Sequence, residues 1–274
     1  MQLSAIIIAK DEEKDIARAI RSVQFADEVL VIDAESTDKT REVAEQAGAR
    51  VIINPWPGYG AQKNFGREQA RGEWLLYIDA DEEVSADLAA ALVRTIKNPQ
   101  QDFYWLRLIT VFLGKPLLHL YGHNPRLFRK SAGKWTDAKV HEQVISVVSS
   151  KQQAVGNEDV VKLGDNKSTV LTEPLWHYSH ATVKSYLEKM HRYTTLDAEQ
   201  MFRTGKHRSG TVVEPAALLP WYLAAKQFSK MYFYKKGFLD GSAGLIWCVL
   251  SAYYEWEMGY KYRWIVKSKK KNEK

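Results

Sequence analysis

Short apolar runs alternate with helical periodicity through the first hundred residues of this 274-residue chain. Leu3 to Ala9 is a nearly continuous run rich in isoleucine, which is typical of a strand buried on both faces of a parallel sheet. Similar runs predict further strands at 28–32, 51–53 and 74–78. Because segments with helical spacing separate these runs, the pattern predicts βαβ units and an α/β fold, with a mostly parallel sheet flanked by helices.

Caps and breakers predict where the intervening helices begin and end. The acidic stretch 11–13 is expected to open the first helix, since acids in the first turn suit the helix dipole. Ser36 or Thr37 can cap the second helix, and Gly48 is expected to end it. Two more helices are predicted at 62–70 and 85–97.

The pattern changes after residue 100. A long strand is predicted at 103–112, and 114–124 has the composition of a loop. Residues 157–169 show no clear period, and from residue 181 onward the chain has helical spacing. Shorter strands are predicted at 126–129 and 144–149. We therefore predict an α/β domain at 1–178 and a mostly helical C-terminal region at 179–274.

Charge and aromatic content distinguish this second region from the first. The net charge is +6, yet the first hundred residues are rich in acids and the C-terminal region mixes Lys and Arg with aromatic residues. Between Tyr222 and Lys236 this mixture forms a basic amphipathic stretch. Such a stretch either lies in an anionic membrane interface or belongs to a helical hairpin packed on the first domain, with its lysines in solvent.

Several function classes are disfavoured by the composition. The basic residues match no recognised nucleic-acid-binding motif, so we expect no nucleic-acid partner. Cys248 is the only cysteine, which excludes an intrachain disulfide. The N-terminal segment lacks a basic n-region, and no apolar run reaches about 18 residues. The expected location is therefore the cytoplasm, including the inner face of the inner membrane if the C-terminal region binds lipid.

The fourth predicted strand ends in two carboxylates, Asp79 and Asp81. Where the chain turns at a strand end, both can point into one crevice, and open α/β sheets bind ligands outside the carboxyl ends of their strands. Two carboxylates on a short tether suit Mg²⁺ or Mn²⁺, which completes its shell with water and substrate phosphates. An isolated Asp-x-Asp is more often a solvated turn, but the buried strand before this one favours a metal site.

Other acids follow the other predicted parallel strands. Asp11 and Glu12 follow the first, and Asp33 follows the second. If the strands are parallel these carboxylates gather along one edge, where their repulsion is tolerable mainly when a cation or hydrogen-bond donors are present. Asp33 can accept hydrogen bonds from the base or ribose of a nucleotide, or it can belong to a simple turn and cap.

Basic residues and a later carboxylate add candidates for the same chemistry. Lys63 lies in the glycine-containing segment 58–64 at the start of a predicted helix, where helix amides and a lysine can bind an anion or the lysine can face solvent. Arg126 belongs to a basic group that either holds phosphates or faces solvent. Glu142 is a candidate general base. His177 can complete a metal shell, contact a phosphate or pack in the core.

Eight segments carry a resemblance to a known family: 6–12, 27–40, 58–64, 79–82, 123–129, 140–142, 177–179 and 236–241. Together they resemble family 2 of the GT-A glycosyltransferases. The later segments are most similar to those of bacterial lipopolysaccharide-core β-glucosyltransferases of the heptose I β-1,4-glucosyltransferase type. The first motif of the family usually reads Asn-Glu, whereas this chain has Asp11-Glu12, so the role of Asp11 is left open.

The resemblance implies a GT-A, Rossmann-like fold and an inverting, metal-dependent transfer of a hexose. UDP-glucose is the implied donor, lipid A–core oligosaccharide the implied acceptor, and Mg²⁺ or Mn²⁺ the implied cofactor. A divalent cation would stabilise the charge that develops on the diphosphate leaving group. A base on the opposite side of the sugar would take the proton of the acceptor hydroxyl.

The resemblance also implies roles for individual residues. Glu12 and Asp33 would contact the uridine, Asp79 the ribose, and Lys63 the nucleotide or its phosphates. Asp81 would hold the metal and His177 would add a metal or phosphate contact. Glu142 is the implied catalytic base. Ala9 and Arg126 would complete the nucleotide-sugar site.

Other readings remain open at this point. A nucleotidyltransferase usually has a glycine- and arginine-rich phosphate loop after its first strand, and this chain has acids there. The chain could instead use another nucleotide sugar and another glycan or lipid acceptor. It could also be a non-catalytic module that binds nucleotide or a membrane surface, although the Asp79–Asp81 pair and Glu142 argue against a loss of activity.

Overall fold

The apolar run near the start of the chain forms strand β1 (Leu3–Ala9) in the interior of a mixed sheet. The computed structural model describes residues 1–136, 142–147, 170–180 and 182–272. Strand β1 pairs in parallel with β2 (Glu28–Asp33) and with β4 (Trp74–Asp79). Strand β2 pairs in parallel with β3 (Arg50–Ile53). The connecting helices are α1 (Ile16–Ser22), α2 (Thr40–Gln46) and α3 (Tyr59–Gln69).

Antiparallel strands extend this parallel half of the sheet. The further strands are β5 (Glu82–Val84), β6 (Phe103–Phe112), β7 (Lys115–Pro116), β8 (Gly122–Arg129), β9 (Gly133–Trp135), β10 (Val144–Ser146) and β11 (Val170–His180). Helix α4 (Ala86–Lys97) follows β5. In the described residues the order is β3-β2-β1-β4-β8-β6-β11-β5, with β7 beside β6 and a separate β9–β10 pair. The predicted fold class, a GT-A, Rossmann-like α/β sheet with flanking helices, is confirmed.

Strand β1 is apolar throughout because both of its faces are covered. Its side chains alternate, so Ile7 belongs to one buried cluster with Ile20 of α1 and Ile6 to another with Tyr77 of β4. Helix α3 lies close to the second face. A Cβ at Gly66 would lie 2.8 Å from Ile6 Cγ2, so only glycine permits this approach. This packing fixes the position of the polar residues at the start of α3.

The first helix begins later than the sequence predicts. Asp11 has φ 55°, a left-handed conformation that cannot continue into a right-handed helix, and α1 begins at Ile16. The predicted N-cap of α2, Ser36 or Thr37, is also wrong, because Lys39 occupies the N-cap position, whereas the helix ends just before Gly48 as predicted. The side chain of Ser36 instead accepts a hydrogen bond from the backbone N of Asp11 at 2.9 Å. The loops after β1 and β2 are therefore joined to each other.

The chain divides into two compact units, Met1–Ile109 with Gly122–His177, and Thr110–Tyr121 with Tyr178–Lys274. In the second unit, one apolar cluster includes Leu120, Tyr186 and Cys248, and another includes Met201 and Met258. None of the helices in the described ranges is long and apolar enough to cross a membrane. The helical elements of the second unit are α5 (Val183–Thr204), α6 (Leu219–Ser229), a π-helical turn (Lys230–Tyr234), a 3₁₀ turn (Gly237–Asp240) and α7 (Gly241–Asn272). The predicted loop at 157–169 lies outside the described residues.

Candidate active site

Parallel pairing places two acids beside Ala9 at the carboxyl end of β1. Asp33 lies opposite Ala9 in the β1–β2 register, and Asp79 lies opposite Ile8 in the β1–β4 register. The two carboxylates thus flank the end of the central strand, at the edge where open α/β sheets bind ligands.

Asp33 is fully buried, and among the described residues only one of its two carboxylate oxygens has a hydrogen-bond partner. Its Oδ2 accepts a hydrogen bond from the backbone N of Ser36 at 2.9 Å and lies 3.9 Å from Arg41 Nε. Its Oδ1 has no hydrogen-bond partner within the described part of the chain. An unsatisfied buried carboxylate oxygen is costly, and a donor on a ligand would satisfy it. The neighbouring carbonyl of Ala9 accepts from the backbone N of Ala34 at 2.8 Å.

The loop after β1 is bound tightly to the loop after β2. Asp11 Oδ1 accepts from the backbone N of Thr37 at 2.7 Å, and the backbone N of Glu12 donates to Thr40 Oγ1 at 2.7 Å. Asparagine and aspartate both tolerate the left-handed backbone found at Asp11. The departure from the usual Asn-Glu therefore preserves the loop. Glu12 is half-buried in the turn before α1, where its carbonyl accepts a hydrogen bond from Ile16 N at 3.0 Å.

Arg126 of β8 lies buried between two carboxylates. Its Nη2 donates to Asp79 Oδ2 at 2.8 Å and to Glu82 Oε1 at 2.6 Å. Glu82, at the start of β5, also accepts from the backbone N of Asp79 at 2.9 Å. Arg126 is 5% exposed, so the alternative that it faces solvent is wrong. Its Nε has no partner among the residues that the structure describes.

This arrangement shifts the pKa values of Asp79 and Glu82 in opposite directions. Burial opposes ionisation of Asp79, but the charges of Arg126 and then Lys63 outweigh it, so the pKa of Asp79 lies below its usual range. Burial dominates at Glu82 and, together with the charge of Asp79, raises its pKa to about 7 in spite of Arg126. Arg126 itself stays charged, because the two acids raise its pKa against the effect of burial.

Lys63 of α3 joins Asp79 to the predicted base. Its Nζ lies 2.6 Å from Glu142 Oε1 and 3.9 Å from Asp79 Oδ1. The ammonium group also lies 4.4 Å from the centroid of the Trp135 ring, a cation–π contact. Lys63 is 4% exposed, so the alternative of a solvated surface lysine is wrong. The segment of glycines and lysine at 58–64 thus supplies a buried cation to the site.

Trp135 and Asn64 hold this cation in place. Asn64 Nδ2 donates to the carbonyl of Trp135 at 2.8 Å, and the backbone N of Trp135 donates to Asn64 Oδ1 at 2.9 Å. The Trp135 ring packs edge-on against Tyr77 of β4, with ring centroids 5.3 Å apart. Helix α3 and strand β9 are therefore fixed to each other at the level of Lys63.

Asp81 and His177 meet next to this cluster. Strand β11 pairs with β5 so that His177 lies opposite Glu82, and its Nε2 lies 3.5 Å from Asp81 Oδ2. Burial lowers the pKa of His177, but the hydrogen bond and charge of Asp81, aided by the neighbouring acids, raise it above its usual value. Asp81 thus lies against His177, whereas Asp79 lies against Arg126 and Lys63.

The fit of a divalent cation can be judged from these two side chains. No group of three or more His, Cys, Asp or Glu side chains in the described ranges could hold a metal ion. Mg²⁺ commonly takes one or two carboxylates, several waters and substrate phosphates, and an octahedral ion at about 2.1 Å holds adjacent ligands about 3 Å apart. The 3.5 Å spacing of the Asp81 oxygen and the His177 nitrogen is compatible with a two-residue site of this kind.

Three residues of the cluster, Glu82, Trp135 and Asn64, were not among the site residues predicted from the sequence. Glu82 resembles part of a solvated acidic turn, although Val84 two positions later marks a strand whose one face is buried. Trp135 lies in a segment with loop composition, and a tryptophan among polar residues is the only signal. Asn64 lies in segment 58–64 of the family resemblance, but the sequence does not show its bonds to strand β9.

Comparison with known proteins gives relatives along most of the chain. The family model "Glycosyl transferase family 2" matches residues 4–153. An uncharacterized glycosyltransferase from Rickettsia bellii is 32% identical over 257 residues, which cover 92% of this chain and 83% of that protein. The lipopolysaccharide core biosynthesis glycosyltransferase LpsC from Rhizobium meliloti is 27% identical, with 92% and 91% covered.

A solved structure shows a partial likeness. Glucosyl-3-phosphoglycerate synthase from Mycobacterium tuberculosis, in complex with Mn²⁺, UDP and glucosyl-3-phosphoglycerate, is 25% identical. The match covers 40% of this chain and 44% of that one, with a TM-score of 0.35. A likeness at this level carries no argument about the ligands of this chain.

Proposed function

This chain belongs to glycosyl transferase family 2 and is a glycosyltransferase, and we propose that it transfers glucose from UDP-glucose, with inversion, to a lipopolysaccharide inner-core acceptor. One observation carries the proposal. Lys63 contacts both Asp79, at the end of a parallel strand, and Glu142, the candidate base. The acid proposed to bind the donor and the proposed base are therefore parts of one polar cluster.

The donor site is proposed at the carboxyl ends of β1, β2 and β4. The unpaired Oδ1 of Asp33 would accept the N3–H of uracil, with Ala9 and Glu12 beside it. Asp79 would accept hydrogen bonds from the ribose hydroxyls. Arg126 belongs to the same proposal because it holds the Asp79 carboxylate in one orientation. Lys63 would contact the diphosphate.

Asp81 and His177 are the residues proposed to hold Mg²⁺ or Mn²⁺, which would supply positive charge to the diphosphate as the sugar leaves. The transfer itself is a single displacement. The acceptor oxygen forms a bond to the anomeric carbon while the bond from that carbon to the diphosphate oxygen breaks, and its electron pair leaves with UDP. Glu142 takes the proton of the acceptor hydroxyl. Lys63 keeps the Glu142 carboxylate in position before the acceptor arrives.

The acceptor is proposed to be lipid A–core oligosaccharide of the heptose I type, presented at the inner face of the inner membrane. Two facts support this choice. A relative that aligns along 92% of this chain is a lipopolysaccharide core biosynthesis glycosyltransferase. The second unit also combines exposed aromatic side chains with lysines, which suits an anionic, lipid-bound substrate.

The test is a transfer assay with UDP-glucose, Mn²⁺ and purified inner-core lipopolysaccharide, read by UDP release and by the mass of the product. The proposal predicts a mass gain of one hexose. Glu142→Gln is expected to bind donor normally and to lose at least about a hundredfold in turnover, because it cannot accept the proton. Glu45→Gln, an exposed position on α2, is the matched control and should retain activity.

Two results would contradict parts of this account. Transfer only from another nucleotide sugar, or only to another glycan or lipid, would replace the proposed substrates while keeping the cluster as the site. Undiminished turnover by Glu142→Gln would exclude Glu142 as the base.

A further inference from the structure

A stack of aromatic rings lies on the surface of the second unit. Trp221 of α6 meets Trp256 of α7 with ring centroids 5.7 Å apart, and Trp256 stacks on Tyr253 at 5.9 Å and on Tyr260 at 5.5 Å. We call these four residues the aromatic ridge. Trp221 is 64% exposed and Tyr260 52% exposed, so the rings stabilise one another without being covered.

The ridge is part of a longer apolar stripe along α7. Val249 lies one turn before Tyr253 and Trp264 one turn after Tyr260, and both are exposed. The opposite side of the same helix is also apolar, since Cys248 and Met258 are buried in the core of the unit. Helix α7 thus has one apolar side that is buried in the core of the unit and a second apolar side that is exposed to solvent. A contiguous exposed apolar surface of this kind marks an interaction site.

The acidic side chains between residues 219 and 272 are buried and do not contribute to this surface. The sequence has three in that range, Asp240, Glu255 and Glu257. Their side chains are at most 9% exposed. Each is paired within the unit: Asp240 with His119, Glu255 with His207 and Arg208, and Glu257 with His191 and Lys261.

Apart from Lys261, which is half-buried and pairs with Glu257, six lysines of the same range are exposed. They are Lys226, Lys230, Lys235, Lys236, Lys267 and Lys269. The surface of α6 and α7 therefore presents aromatic and aliphatic groups together with positive charge, and its negative charges are neutralised inside the unit.

We propose that the aromatic ridge, together with the exposed lysines of the same range, forms the surface by which this chain docks on an anionic lipid bilayer. Tryptophan and tyrosine favour the headgroup region, where an apolar ring and a polar atom are both satisfied. Lysines near an anionic leaflet add attraction that salt weakens. A second copy of the chain is a poorer occupant, because two such surfaces would bring like charges together. The inference depends on the second unit alone and stands even if the proposed donor or acceptor is wrong.

The test is co-sedimentation of the full chain with phosphatidylcholine vesicles, with and without one third phosphatidylglycerol. We expect binding to the anionic vesicles that falls as salt is raised. Lys226→Gln combined with Lys230→Gln should weaken that binding about thirtyfold, since each lysine near the surface contributes about a fivefold factor. Lys14→Gln combined with Lys97→Gln removes the same charge from exposed positions of the first unit and should leave binding nearly unchanged.

The apolar contribution needs its own variants. Trp221→Ser combined with Trp264→Ser should abolish sedimentation with the anionic vesicles, whereas Trp56→Ser, an exposed tryptophan of the first unit, should not. Unchanged thermal melting of each variant confirms that the fold is kept. Absence of wild-type binding to anionic vesicles would overturn the proposal. The proposal would also be overturned if the control variants lost vesicle binding to the same extent. It would be overturned as well if the chain formed a concentration-dependent dimer that the two tryptophan substitutions dissociate.

Discussion

Arg126→Met removes a buried guanidinium group and keeps most of the apolar side chain. Asp79 and Glu82 then remain together in the protein interior without their shared cation. Breaking a buried ion pair by removing one partner costs about 3–5 kcal/mol, because the remaining charge is left uncompensated. In a unit of this size that corresponds to a fall of about 6–20 °C in the melting midpoint.

The loss should depend on pH in a defined direction. Without Arg126, burial and mutual repulsion favour protonation of both acids, so the difference in stability from wild type should grow as the pH rises from 5 to 8. Glu82→Gln, added to Arg126→Met, removes one of the two charges and should restore part of the stability at pH 8. This non-additivity measures the coupling within the cluster.

The assay is thermal unfolding followed by circular dichroism at several pH values. Arg129→Met is the matched control, because Arg129 lies on the same strand and pairs with Glu73 and Asp102 nearer the surface. Surface ion pairs contribute about 0–1 kcal/mol and a cation–π contact with Trp74 adds a similar amount, so a smaller loss without the pH trend is expected. Equal losses for the two variants, or a loss at Arg126 that is independent of pH, would refute the reasoning about this cluster.

Two further predictions concern the same edge of the sheet. Asp33→Asn should weaken UDP binding about tenfold or more in calorimetry, because a neutral amide loses a charge-assisted hydrogen bond. The control Asp87→Asn, at an exposed position, should have no effect on UDP binding. Equal UDP affinities of wild type and Asp33→Asn would exclude Asp33 from binding the base. The pKa of Glu82 in the folded protein, about 7, lies above the value of 4.5 for a free glutamate. The stability that protonated Glu82 contributes is therefore fully present below about pH 4.5 and is lost as the pH rises through about 7. Glu82→Gln should therefore remove this part of the pH dependence, and an unaltered pH profile would contradict the assignment.

The sheet could be predicted because its strands are local and strongly apolar. The bounds of β1 and β6 agree with the sequence pattern, and β4 extends only to Asp79, one residue beyond the prediction. Parallel order then places Asp33 and Asp79 beside Ala9 without further information. Periodicity is sufficient here because burial on both faces leaves few polar positions to confuse it.

The loops after β1 and β2 could not be predicted in the same way. Acids before an apolar period usually indicate a helix start, but the left-handed backbone at Asp11 prevents a helix there. Ser36 was expected to cap α2 and instead binds the backbone of Asp11, 25 positions away. Hydrogen bonds between distant loops leave no periodic signal in the sequence.

The partners of the site's charged groups also depend on distant strands. The spacing of Asp79 and Asp81 suggests one shared cation, yet β8 brings Arg126 to Asp79 and β11 brings His177 to Asp81. Lys63 is buried because β9 places Trp135 against it. Residue types at the site were therefore predictable, whereas their pairing required the sheet order.

The most direct measurement of the proposed donor site is calorimetric titration of UDP-glucose into the protein with Mn²⁺ present, repeated with Asp81→Ala. We expect metal-dependent binding that the substitution removes. Binding of UDP but not of UDP-glucose would keep the site and change the donor sugar. Binding of neither by the folded wild-type protein would contradict the nucleotide-sugar site at the end of β4.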